Sequence, residues 1–160
     1  MNFKTTHIFS PLKNWLNVQL LDAVFYAKNR FDSYFNIFEL QKALGEGDTY
    51  KANLICRHFA ANPKANPFVF TIALLYQFFV KLLLFHSLKD KSKDNIVGSE
   101  LSINPFFAKD YRQAARRFNN SKTIRAIRLL REYDLKSKGL NNATATDGEL
   151  LREMIFRIMH

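Results

Sequence analysis

Apolar residues recur along most of this chain at three- and four-residue intervals, the period of a helix with one buried side. After residue 33 the pattern divides into segments with legible starts and stops. Asn36, with Glu39 three positions on, forms a capping-box pattern that opens "NIFELQKAL", and Gly45 is the expected stop. Asp48 is placed to cap "TYKANLICRHFA", in which Ala52, Ile55, Cys56 and Phe59 fall on one face. Asn66-Pro67 reads as a cap followed by Pro at the first helical position, and it predicts a long helix running to about Lys89. The polar run "KDKSKDN" separates that helix from a short segment, "IVGSEL". Asn104-Pro105 repeats the cap-plus-Pro device and opens "FFAKDYRQAARRF", where Phe107, Tyr111, Ala114, Ala115 and Phe118 make a stripe. Ser121 is expected to cap the next helix, which stops at Gly139. Thr146 and Glu149 then make a capping box for the last helix, with Leu150, Leu151, Met154, Ile155 and Ile158 on its apolar side.

The first 33 residues read differently. They predict one helix from about Pro11 to Arg30, with Trp15, Val18, Leu21 or Ala23, and Phe25 as its apolar positions. The expected organisation is a helical extension over 1–33 and a main helical domain over 34–160. No segment alternates in the manner of a strand, and 5 Gly with 4 Pro leave few turns. The fold class predicted is all-α, a helical bundle of about five to seven helices whose short loops make neighbours antiparallel.

Composition narrows the chemistry. A chain of 160 residues, 48% of them hydrophobic, buries roughly 70% of its unfolded surface and needs neither disulfides nor a metal to hold a core. The single cysteine, Cys56, excludes an internal disulfide and fits a reducing, cytoplasmic setting. "MNFKTTHIFSPLKNW" lacks the apolar region of a secretory signal. Pro67 to Phe85 is long enough to span a bilayer, but Gln77 and Lys81 interrupt it, so a central helix buried on nearly all sides is the better reading and no membrane is expected.

Catalytic and cofactor signals are missing. There is no G-x-x-x-x-G-K-[ST] or G-x-G-x-x-G phosphate cradle, and "GEG" at Gly45 to Gly47 reads as a helix stop and turn. His7, His58, His86 and His160 are scattered, and Cys56 and His58 lie on different sides of one helix, which is no metal-ligand arrangement. Cys56 lies on an apolar stripe without a base to activate it. The expectation is a non-enzyme with no cofactor, no metal and no small-molecule substrate.

The net charge of +10 points to an acidic partner. Arg112, Arg116, Arg117, Lys122, Arg125 and Arg128 fall within two consecutive helices and are the candidate nucleic-acid contacts. At about 100° per residue, Arg125, Arg128, Glu132 and Lys136 share a face opposite Ile127 and Leu130. Such a face neutralises phosphates in a salt-dependent way. Glu132 interrupts it, however, and no aromatic residue interleaves for base stacking, so a solvated outer face is the competing reading. In the aromatic-rich helix, Phe70, Tyr76, Phe78 and Phe85 are candidates for burial by another chain, since its apolar residues nearly circle the axis. Burial in the chain's own core is equally open.

The second half carries a resemblance. "NPFFAKDYRQAARRF" (Asn104 to Phe118), "LLREYDLKSKG" (Leu129 to Gly139) and "TDGELLREMIFRIMH" (Thr146 to His160) resemble the end of the delta subunit of bacterial DNA polymerase III, part of the loader that places the sliding clamp on DNA. "FNIFELQKALGEGDTYKAN" resembles the start of the same domain, and "FAANPKANPFVFTIALLYQFFVKLLLFHSLKD" its long middle helix, so the likeness spans about Phe35 to His160 in order. The resemblance implies a C-terminal helical collar domain. Such domains from several subunits pack into a ring, beneath which AAA+ modules act on clamp and DNA. No counterpart of the family's AAA+-like domain occurs in these residues, and residues 1–33 resemble at most the tail of the preceding lid domain. The resemblance implies the other loader subunits as partners, with DNA contact non-specific. The reading that needs no family is a free-standing basic helical nucleic-acid-binding domain.

Asp134 stands out within "LLREYDLKSKG" because it falls in the apolar arc with Ala126, Ile127, Leu130 and Tyr133. A lone buried carboxylate is costly, so Lys138 at i+4 and Arg131 at i−3 are its expected companions. With no second acid or base in prospect, Asp134 is expected to be a structural anchor that sets how this helix packs.

Overall fold

Seven α-helices follow one another in the computed structural model, which describes residues 35–142 and 144–160. They are α1 (Ile37–Glu46), α2 (Thr49–Ala61), α3 (Phe68–Ser87), α4 (Asp94–Leu101), α5 (Ala108–Arg117), α6 (Asn120–Ser137) and α7 (Asp147–Met159), with a short 3₁₀ turn, Pro105–Phe107, leading into α5. The described residues hold no strand, and Phe35–His160 forms one compact unit. The expected helix from Pro11 to Arg30, like the rest of the 1–33 extension, lies outside the described residues.

Several starts lie where short polar side chains were expected to satisfy orphan backbone donors. Asn36 Oδ1 accepts from the N–H of Phe38 and Glu39 at 2.9 and 3.0 Å, and Asp48 accepts from Lys51 N–H at 2.9 Å. Thr146 and Glu149 complete a reciprocal capping box at the start of α7. Other boundaries moved. Glu39 does not close a box on Asn36; its carboxylate pairs with Lys51 of α2 instead. Gly45 is not a stop: α1 runs on to Glu46, and Gly47 ends it with φ of 77°, the left-handed conformation that glycine takes without strain. Asn66 does not cap α3, whose N-cap is Pro67; its side chain turns back to the Asn62 carbonyl. Asn119 rather than Ser121 caps α6, accepting from Lys122 N–H at 2.9 Å. Asn104 does cap, accepting from Phe106 N–H at 2.9 Å, but what it opens is the 3₁₀ turn that leads into α5.

α3 is the axis of the unit. It packs most extensively on α6, and the two run antiparallel: His86 near the end of α3 hydrogen-bonds the Phe118 carbonyl just before α6, at 2.7 Å. α2 packs on α7, α1 on α5, and α7 on α6. Phe79 fills the centre with no exposed surface, meeting Phe118 edge-on at 5.1 Å between ring centres and Phe78 at 5.2 Å. Edge-to-face rings suit their quadrupoles and add to the burial energy. Leu40, Leu75, Leu82, Leu130, Tyr133 and Met154 are buried around them. α3 is also long and apolar enough to cross a membrane by length and composition, and 56% of its most apolar window is buried inside the unit.

Candidate functional site

The six candidate basic residues divide into two sets. Arg112 donates to the carbonyls of Lys91 and Ser92 at 2.7 and 2.9 Å and pairs with Asp94, so it clamps the loop between α3 and α4. Arg117 and Arg125 reach across to α7, donating at 3.0 Å to the carbonyls of Met159 and Arg157. These are the carbonyl groups that a helix leaves unpaired at its end, where cations are favoured. Arg116, Lys122 and Arg128 are exposed. Three of the six cations are therefore engaged with backbone, which shrinks the phosphate-neutralising face expected from sequence.

Beside them is a cleft of about 370 Å³ between α6 and the end of α7. Its cations are Arg117, Lys122 and Arg125; its apolar lining comes from Phe118, Ala126, Leu129, Ile158 and Met159.

At the α6–α7 seam, Glu132 Oε1 accepts from Arg157 at 2.7 Å and sits 3.0 Å from Lys136 Nζ. The Arg157 hydrogen bond is the main reason the Glu132 carboxyl is held below its ordinary value, with Lys136 adding to it. Beneath these charges lies the fully buried ring of Tyr133, with Lys136 Nζ 4.4 Å and the Arg157 guanidinium 5.7 Å from its centre. Burial raises the Tyr133 hydroxyl above its usual value.

Asp134 is 8% exposed, and its Oδ2 accepts from Lys138 Nζ at 2.7 Å. Its Oδ1 is buried without a hydrogen-bond partner among the described residues. Lys138 is mostly exposed, so the ion pair is half in water. Arg131 is exposed and makes no bond to Asp134; its charge acts on Tyr76 of α3, whose hydroxyl is raised by burial and lowered by that guanidinium.

The aromatic candidates on α3 also part ways. Phe78 and Phe85 are 4% and 3% exposed and belong to the unit's own core, so they have no surface left to offer another chain. Phe70 is 39% exposed and Tyr76 is half-buried. What the sequence reading missed is the set around them. At about 100° per residue, Val69, Ala73, Tyr76, Val80, Leu83 and Leu84 share one outer arc of α3. Val69 and Leu84 are each 48% exposed, and Val80 and Leu83 are half-buried. On α6, Ile124 and Ile127 lie on the adjoining exposed side, along the same antiparallel pair. No strong amphipathic signal marks this arc in the sequence, because α3 is apolar nearly all round.

Cys56 is fully buried, and burial pushes its thiol up to about 12, far from a thiolate nucleophile. Among the described residues no group of three His, Cys, Asp or Glu side chains could hold a metal ion.

Residues 35–156 match the family model of the DNA polymerase III delta subunit, C-terminal domain. The chain belongs to that family. A delta C-terminal domain is a clamp-loader component, works with other subunits in replication, and is not itself a known catalytic domain. The match covers the whole run from α1 into α7, so both the basic residues and the outer arc of α3 lie within the delta C-terminal region. No curated protein and no solved structure gives a match.

Proposed function

We propose that this delta C-terminal domain is an assembly module, docking in the cytoplasm against the corresponding collar domains of other clamp-loader subunits. The observation that carries this reading is the outer arc of α3. Val69 and Leu84 are exposed on that arc, Tyr76, Val80 and Leu83 are half-buried on it, and Phe70 beside it and Ile124 of α6 extend the apolar strip. Contiguous exposed apolar surface of this kind marks an interface, and the centre of an interface is where charge is depleted and aromatic residues are enriched. Tyr76 sits in the middle of the strip, with Arg131 at its edge. On α6, the pairing of Asp134 with Lys138 acts as a packing anchor that sets how this helix presents Ile124 and Ile127.

The test is co-elution of the chain with the other loader subunits on a sizing column. Val80→Asp and Leu84→Asp change half-buried and exposed positions, so helical content and melting temperature should stay near those of the parent while co-elution is lost. Undiminished co-elution by both folded variants refutes docking through α3. Failure of the parent chain to bind any loader subunit refutes the assembly role itself.

A further inference from the structure

We propose that the strip along α3 and α6 receives an amphipathic helix of a partner subunit, apolar on one side and carrying acids about a turn apart on one flank. The inference rests on the assembly reading above and adds the chemistry of the partner. A row of side chains on α6 sets the charge pattern. Ile124, Arg128, Arg131, Leu135 and Lys138 follow at alternating steps of four and three residues, so they line up along one outer side of the helix. All are exposed except Leu135, which is half-buried. α3 lies alongside, antiparallel, with His86 bonded to the Phe118 carbonyl and the Arg131 charge acting on Tyr76. Equal rise per residue in the two helices then brings Val80 level with Ile127 and Leu83 level with Ile124. The uncharged half of the strip is on α3 and the charged half on α6.

Charge complementarity selects the occupant. Of the two acids on α6, Glu132 is turned to Arg157 of α7, and Asp134, only 8% exposed, already holds Lys138. α3 contains no acid, and its single lysine, Lys81, reaches the Ser102 carbonyl at 3.4 Å. Arg112, Arg117 and Arg125 are held by backbone carbonyls. Arg128 and Arg131 differ from them: neither makes a hydrogen bond or ion pair among the described residues. Two unmatched guanidiniums thus stand one turn apart beside an apolar strip. A guanidinium fits a carboxylate through two parallel N–H bonds, and charges flanking an apolar helix seam set which helix pairs there and in which orientation.

The apolar half decides between anions. Its surface is open, with Val69 and Leu84 each 48% and Ile124 39% exposed. A nucleic-acid strand would satisfy the two arginines, yet it would leave Val80, Leu83 and Leu84 uncovered and find only the half-buried ring of Tyr76 beside Arg131 for a base to stack on. A helix with apolar residues at three- and four-residue intervals covers the aliphatic side chains, and acids on its flank meet Arg128 and Arg131. It uses both halves of the strip.

The experiment immobilises the full chain and follows association of the other loader subunits by surface plasmon resonance at about 50 and about 300 mM salt. Changing both Arg128→Glu and Arg131→Glu is expected to slow association about tenfold at the lower salt and to remove most of its salt dependence. Changing both Arg128→Lys and Arg131→Lys keeps the charge and should retain binding. A water-soluble carbodiimide, which joins an amine to a carboxylate as an amide, should then couple positions 128 and 131 of the lysine variant to partner acids three or four residues apart, as located by mass spectrometry. Thermal melts of both variants verify folding. If the parent binds a subunit but the folded glutamate variant binds as fast with the same salt dependence, or no coupling occurs at 128 or 131, the acidic helix is refuted while assembly stands. If the parent binds no loader subunit, both readings fall. Tighter binding of a thymidine oligonucleotide or of phosphatidylglycerol vesicles, lost in the glutamate variant, would overturn the proposal in favour of that anion.

Discussion

Gly45 lies inside α1 and faces Ala114 of α5. A Cβ added at position 45 would stand 3.0 Å from Ala114 Cβ and 3.3 Å from its Cα, closer than the 3.4 Å at which ordinary contact begins. The two helices therefore cross almost backbone to backbone, and the crowding atoms belong to a residue with no rotamer to change. In Gly45→Val two effects oppose. Any side chain recovers part of the roughly 1 kcal/mol that glycine costs a helix interior. Three extra carbons must then enter a gap too small for one, and overpacking of this kind costs about 1–3 kcal/mol. Crowding wins, for a net loss of about 2 kcal/mol. Ala114→Gly alone costs about 1 kcal/mol in helix propensity, yet it removes the atom that the introduced valine would strike. The double variant should thus be about 1 kcal/mol more stable than the sum of the two single losses, a coupling typical of residues in contact. Urea denaturation followed by circular dichroism, with m-values checked for constancy, measures all four corners of the cycle. Additive losses, or a Gly45→Val variant as stable as the parent, would refute the close crossing of α1 and α5.

Two further outcomes follow from the α6 charges. The folded-state carboxyl of Glu132 lies below its ordinary value of 4.5 because Arg157 and Lys136 hold it; its stabilisation is present above that value and lost as pH falls through the lower one. With the side chain 41% exposed the effect is at most about 1 kcal/mol, and Glu132→Gln should flatten the loss of melting temperature between about pH 5 and about pH 3. Parallel curves for the two proteins would show that the seam is not charge-dependent. Asp134→Ala removes the bond to Lys138 at a position only 8% exposed, so a loss of about 1 kcal/mol, or roughly 4 °C in Tm, is expected. A raised Tm would mean that the unmatched Oδ1 costs more than the pair returns, and Asp134 would then be no anchor.

Secondary structure was legible here because its causes are local. Ala52, Ile55, Cys56 and Phe59 line one face of α2, and Leu150, Leu151, Met154, Ile155 and Ile158 one face of α7, since helical period alone places them together. The caps at Asn36, Asp48 and Thr146 likewise need only a side chain and a backbone donor two or three residues on. Gly45 was misread as a stop for the complementary reason. The feature that requires glycine there is Ala114, far along the chain, whereas Gly47 supplies the left-handed turn. The arginines show the same division. Spacing put Arg117 and Arg125 on a basic surface, but their hydrogen bonds go to α7 carbonyls that no local pattern connects with them.

The family and the all-helical architecture were thus written in the order of residues, through period, caps and motif. What lay beyond them was the use of each surface. A helix apolar nearly all round carries almost no directional signal, so nothing in its residue order separates Phe78 and Phe85, which the core consumes, from Val69 and Leu84, which it leaves exposed. That separation depends on where α5, α6 and their neighbours come to rest against α3, and only long-range packing decides it.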